Sequence, residues 1–176
     1  RLENYSGTAF DLAVDRTVRL LGAAEVAALG VPVPAGVQMV AYASDNRITN
    51  TGAAAWTRDT GLLSIWILGM FNPSPKTTIV IPFRSGTEDE LGPAVNDAYF
   101  GEVPADRLVV DEARGVLFFS GDGRFRSKIG ISPQRVKPFA GSYDAANGAL
   151  TVVHLTVPEG AADYVSSMWE IQEMPF

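Results

Sequence analysis

Residues 37–71 read VQMVAYASDNRITNTGAAAWTRDTGLLSIWILGMF, and how this stretch is divided decides the fold. Its first part alternates. Val37, Met39, Ala41 and Ala43 fall on one side, and Gln38, Tyr42, Ser44, Asn46, Ile48 and Asn50 on the other. A period of two with polar groups on one face is the mark of a half-buried strand. The second part, Leu62 to Phe71, is almost wholly apolar, which predicts a strand covered on both faces. A polar, Gly-bearing connection joins the two. The expectation is one strand offering amides and a Tyr to a wet surface while its neighbour enters the core.

Working outward, residues 8–21 (TAFDLAVDRTVRLL) alternate as well. Phe10, Leu12, Val14, Val18 and Leu20 share a face with Arg16, and Asp11, Asp15, Thr17 and Arg19 share the other. Residues 23–29 are Ala-rich and precede Gly30, which predicts a short helix closed by a left-handed glycine. Pro32 and Pro34 stop it from continuing. On the other side, TTIVIPF at 77–83 is a β-branched strand with Pro82 near its end. Residues 84–106 are irregular, with Tyr99 and Phe100 as anchors, and a loop of that length carries local structure or function.

From Arg107 the chain reads as a meander. Strands are expected at 108–110, 116–119, 124–131, 136–143, 150–157 and 164–172, with turns at DEARG, Asp122-Gly123, Asn147-Gly148 and Pro158-Glu159-Gly160. Close strands with turn signals between them predict an all-β protein, an antiparallel β-sandwich with one short helix. With 176 residues it is long enough for a single domain, residues 1–176, with its own core.

Composition narrows the partners. The net charge of −6 disfavours nucleic acid, which needs clustered cations. The longest apolar run, 62–71, is about half of a membrane-spanning helix, so no membrane partner is expected. With no Cys there is no disulfide, thiolate nucleophile or Cys-based metal site. One His is too few for a zinc site, and Glu88-Asp89-Glu90 lacks calcium-loop spacing, so no metal and no cofactor are expected. The lack of Cys fits cytoplasm and periplasm alike, with the expectation leaning to a periplasmic or secreted location. The chain opens on Arg1 and enters a strand almost at once, which predicts either lost upstream sequence or artificial trimming.

Several side chains are candidates for chemistry. As a strand, 124–131 sets Arg124, Arg126 and Lys128 on one face, able to grip carboxylates, phosphates or sugar hydroxyls, or else forming a solvated or ion-paired outer face. Glu170 and Gln172 share a face of the last strand, with Glu170 a candidate acid/base. His154 is the single side chain whose ordinary pKa lies near neutrality, and a buried hydrogen-bonded His is its ordinary alternative. Trp56 offers a flat ring in a polar connection, and Asn46 and Arg47 offer donors to hydroxyls. Trp66 and Trp169 read as core.

A strand ending in Asn50-Thr51-Gly52, a polar link, and an apolar strand ending in Phe71 resembles the middle of the aldose epimerases, the galactose mutarotase-like family. Pro158-Glu159-Gly160 followed by Tyr164 and Trp169 resembles that family's last turn and strand. The stretches LGMFNPSP, FFSGDGRFRSKIG and SMWEIQ are similar to a group of uncharacterised bacterial proteins assigned to the same β-supersandwich superfamily. The resemblance covers most of the chain. It implies a supersandwich, or its C-terminal part lacking N-terminal strands, which associates with a missing N-terminal half or with further copies of itself. It also implies a carbohydrate bound or processed on the concave sheet face. From their places on regular strands, Glu170 and His154 are the expected catalytic residues and Asn46, Arg47, Trp56, Arg124, Arg126, Lys128 and Gln172 the expected binding residues. Two positions depart from the family. Its His donor falls where this chain has Ile65-Trp66-Ile67-Leu68, and its base follows the last Pro-Gly, where this chain has Pro158-Glu159-Gly160. The resemblance therefore extends to fold and ligand class rather than to mutarotase chemistry. A non-catalytic carbohydrate-binding module and a purely structural or assembly β-domain are the rival readings.

Overall fold

The computed structural model describes residues 1–157 and Glu159. The chain is all-β; among the described residues every strand pairing is antiparallel and there are two short helices. It divides into two compact units, the first taking in Arg1–Leu68 and the second beginning at Gly69.

The first unit is built on a ribbon. β1 (Leu2–Glu3) pairs with β2 (Ala9–Phe10) around a turn in which the Asn4 carboxamide oxygen accepts the Thr8 N–H at 2.9 Å. β3 (Leu12–Leu20) then pairs with β4 (Tyr42–Asn50) over nine residues, from Leu12↔Asn50 to Leu20↔Tyr42. α1 (Ala23–Ala28) lies in the connection, and Gly30 follows it at φ 84°, the left-handed closure expected of that glycine. Glu25 secures the helix start. Its carboxylate accepts the Gly22 N–H at 2.9 Å and the Arg19 guanidinium at 2.6 Å, which holds its pKa below the usual range.

The ladder register puts Leu12, Val14, Arg16, Val18 and Leu20 on one face with Asn50, Ile48, Asn46, Ser44 and Tyr42. The alternation of 8–21 is thus the alternation of the ribbon. Two parts of the reading of 37–71 are corrected. The strand starts at Tyr42, not Val37, and its partner is β3, not the apolar run. Residues 62–71 form no strand, and they are not buried: Trp66 is 74% exposed and Met70 84%. An apolar run signals covering only where a second element exists to do the covering.

The second unit is a five-stranded sheet of β5 (Thr77–Pro82), β6 (Leu108–Asp111), β7 (Val116–Ser120), β8 (Phe139–Asp144) and β9 (Ala149–His154). Its order is β6-β7-β5-β8-β9. Two tight hairpins flank the central β5. Gly115 at φ 61° turns β6 into β7, and Gly148 at φ 63° turns β8 into β9, as the Asn-Gly signal predicts. A methyl group on Gly115 would also stand 2.7 Å from the Phe83 carbonyl oxygen.

Register lines up Ile79 and Ile81 with Phe119 and Leu117, and these with Leu108 and Val110. That face is the core. Phe83 and Leu117 are fully buried, joined by Ala94, with Val95, Ile129 and Ile131 packed from the loops. The irregular segment does carry its own structure, the single turn α2 (Glu88–Leu91). Arg135 fastens it. The side chain is 3% exposed and donates to four backbone carbonyls, those of Gly92, Arg84, Gly86 and Thr87.

The strand predicted at 124–131 is absent. Only Gly130 bridges, to Asn96, through reciprocal backbone bonds of 2.9 and 2.8 Å. The strand expected over 136–143 is present as β8, shifted to 139–144. The strand expected at 164–172 lies outside the described residues.

Candidate functional site

The first unit carries a cleft of about 330 Å³. Its floor comes from the ribbon through Val14, Arg16, Asn46, Arg47 and Ile48, and its wall from residues 64–68, including Trp66. The volume lies at the small end of ligand sites, near 300 Å³. Arg16 and Asn46 stand directly opposite one another in the ladder, so their side chains rise together on one face. The Asn46 amide nitrogen donates to the Ser44 carbonyl and hydroxyl oxygens, at 3.1 and 3.0 Å, which fixes the carboxamide. Arg47 points to the other face, opposite Asp15.

Of the residues singled out from sequence, Asn46 presents its side chain on the cleft face, and Arg47 borders the cleft while its side chain takes the other ribbon face. Trp56 is elsewhere. It lines a separate hollow of about 240 Å³, with its ring edge-on to Phe10, centroids 6.2 Å apart. The Asn50-Thr51-Gly52 turn belongs to that hollow too. There the Asn50 side chain accepts the Gly52 N–H at 2.9 Å and donates to Ala54 at 2.8 Å, a structural duty. The aromatic ring at the cleft is instead Trp66, which sequence reading assigned to the core.

In the second unit, the three cations do not line up along a strand. Arg124 follows Asp122 in a turn, its N–H donated to the Asp122 carboxylate at 2.9 Å. Arg126 lies over the Phe100 ring, 4.7 Å from its centroid, and Lys128 over the Tyr99 ring at 4.0 Å. His154 lies on β9, exposed at the end of the sheet, with its ring 4.8 Å from that of Phe139 across the ladder. It is therefore not the buried core histidine that was its ordinary alternative. Glu170 and Gln172 lie outside the described residues. Among the described residues, no three His, Cys, Asp or Glu side chains group to hold a metal.

Arg107 holds this turn. It forms a two-pronged ion pair with Asp122, and its guanidinium also lies 5.3 Å from the Phe125 centroid. The Arg107 hydrogen bonds, followed by the Arg124 N–H, hold the Asp122 carboxyl below the usual range. Asp144 is lowered as well, first by the Ser74 hydroxyl and then by the Asn147 amide. A carboxyl whose folded pKa is depressed stabilises the fold at any pH above its unfolded value. That stabilisation is lost as pH falls through the depressed folded value. Urea midpoints should therefore fall as the buffer drops below about pH 4. Asp122→Asn should show a lower midpoint at neutral pH and a shallower acid decline. Parallel curves for the two proteins would refute the assignment.

A family model described as a family of unknown function (DUF6786) matches residues 1–176. No curated protein and no solved structure matches the chain.

Proposed function

The chain belongs to DUF6786, a family of unknown function, and on that premise we propose that it is a carbohydrate-binding protein of galactose mutarotase-like supersandwich type. The sugar sits in the cleft between β3–β4 and residues 64–68. The observation that carries this reading is Trp66, 74% exposed and lining the same cleft as Arg16, Asn46 and Arg47. An indole face takes the apolar face of a pyranose, while a guanidinium and a carboxamide bond its hydroxyls. A ribbon strand places such groups more rigidly than a loop does.

Calorimetric titration with a panel of mono- and oligosaccharides tests the reading. At least one neutral sugar should bind. Trp66→Ala should weaken it roughly five- to thirtyfold, the stacking loss being on the order of 1–2 kcal/mol, with the thermal midpoint unchanged. Trp56→Ala should leave affinity intact. No binding across the panel, or equal affinity in Trp66→Ala, would refute it.

A second reading is favoured by a different observation. Val14, Val18, Leu20 and Tyr42 share one ribbon face and are each more than half exposed. An apolar sheet face of that kind marks an assembly surface. Its occupant would be a second copy, the same apolar residues meeting face to face across a two-fold axis. Sedimentation velocity separates the two: a monomer that binds sugar is the first protein, a dimer that binds none the second.

A further inference from the structure

We propose that the sugar taken by the Trp66 cleft is a uronic acid, its carboxylate held by Arg16. This rests on the reading of the cleft as a sugar site and names the class of sugar that enters it.

The ribbon sorts its charges. β3 and β4 carry five charged side chains, Asp15, Arg16, Arg19, Asp45 and Arg47. Their register puts Asp15, Arg19, Asp45 and Arg47 on one face, with Asp15 directly opposite Arg47. Arg16 alone stands on the other face, which is the floor of the cleft. Both acids of the ribbon therefore turn away from it. Its neighbours on that face, Val14, Val18 and Ile48, bring no counter-charge. Among the described residues, no Asp or Glu lines the cleft, and the Arg16 side chain has no hydrogen bond or ion pair. On a chain of net charge −6, a guanidinium kept apart from every acid of its own ribbon is set up for an external anion.

The other groups of the cleft choose a sugar acid over a plain carboxylate. Asn46, across the ladder from Arg16, spends its amide nitrogen on Ser44 at 3.1 and 3.0 Å. What it offers a ligand is the carboxamide oxygen, an acceptor that meets a hydroxyl and repels a carboxylate. Cross-strand neighbours have Cβ atoms about 5 Å apart, a gap that a carboxylate and a ring hydroxyl of one sugar can bridge. Trp66 gives the flat apolar wall. A hexuronate brings the anion, the hydroxyl and the apolar ring face together. One guanidinium balances the single charge of a carboxylate, whereas a phosphate monoester carries about 1.5 to 2.

Calorimetry on the full chain tests this with methyl glucuronide and methyl galacturonide, each against its neutral methyl glycoside, at about 10 mM salt. At least one uronide should bind roughly fivefold tighter than its neutral partner, the upper end for an exposed charge pair. A uronide that binds where its neutral partner does not is the same preference at its limit. The preference should shrink towards unity at about 1 M salt, where charges are screened within ~3 Å. Arg16→Gln should bring the ratio to about one, and Arg16→Lys should keep part of it. Arg114→Gln removes the same charge from the second unit and should leave the ratio unchanged. The salt series on the unaltered chain needs no variant to fold. If a neutral glycoside binds and its uronide binds no tighter, the uronic-acid assignment falls and the sugar reading stands. The assignment falls likewise if the preference ignores salt, survives in Arg16→Gln or is lost in Arg114→Gln. If neither acidic nor neutral sugars bind, both fall.

Discussion

Arg135→Met is expected to cost about 3 kcal/mol or more, the scale for leaving hydrogen-bond partners of a buried charge unmet. The side chain is 3% exposed and spends its planar fork on backbone. Nε donates to Gly92 at 2.7 Å, Nη1 to Arg84 at 3.0 Å, and Nη2 to Gly86 and Thr87 at 3.1 and 3.2 Å. Met has similar length and no donors, so these carbonyls lose their partner without gross loss of volume. The main chain adds to the hold, since the Arg135 carbonyl accepts the Arg84 N–H at 2.8 Å. Arg135→Lys keeps the charge but not the fork, and should recover only part of the loss. Urea midpoints report the stability change. Amide exchange at residues 84–92 reports whether this loop opens first. An unchanged midpoint in Arg135→Met would show that water replaces the guanidinium at no cost.

Phe83→Ala carries the second large effect, about 3–5 kcal/mol by the usual scale for a buried aromatic. Phe83 is fully buried, packed with Leu117 and Ala94 at the end of β5. Its N–H donates to the Gly115 carbonyl at 2.8 Å, so its backbone is tied to the β6–β7 hairpin turn. The Arg135 guanidinium stands 6.0 Å from its centroid. Truncation therefore opens a cavity and removes a wall from the Arg135 site. The two lesions share neighbours, and the double variant should cost less than the sum of the singles. Phe83→Leu should restore most of the loss. Measured additivity within a few tenths of a kcal/mol would separate core from clamp.

How legible this was depended on how local each signal is. β3 could be read because alternation from Leu12 to Leu20 is written in nine consecutive residues. The β8–β9 turn could be read because Asn147-Gly148 carries its own backbone preference. Residues 62–71 misled because apolar content reports a tendency to be covered, not the presence of a cover. Residues 124–131 misled because what holds them is distant in sequence: Arg107 on Asp122, Phe100 under Arg126, Tyr99 under Lys128. Arg16 left a trace, as the one charge on an otherwise apolar strand face, and it does line the cleft. Arg135 left none. Its carbonyl partners lie 43 to 51 residues back, and nothing in the flanking Gln134 and Val136 marks it. The all-β class survived these errors because it rests on several turns at once.

The placing of β5 between the two hairpins sets the order in which this sheet can assemble. Each hairpin closes over a few residues, on the microsecond scale of local ribbons. Seating β5 against β7 and β8 must instead close the long spans 83–115 and 83–138, whose entropy is lost before any contact repays it. The central strand, although made before both hairpins in chain order, is thus the last to find its place, and its docking governs the folding rate.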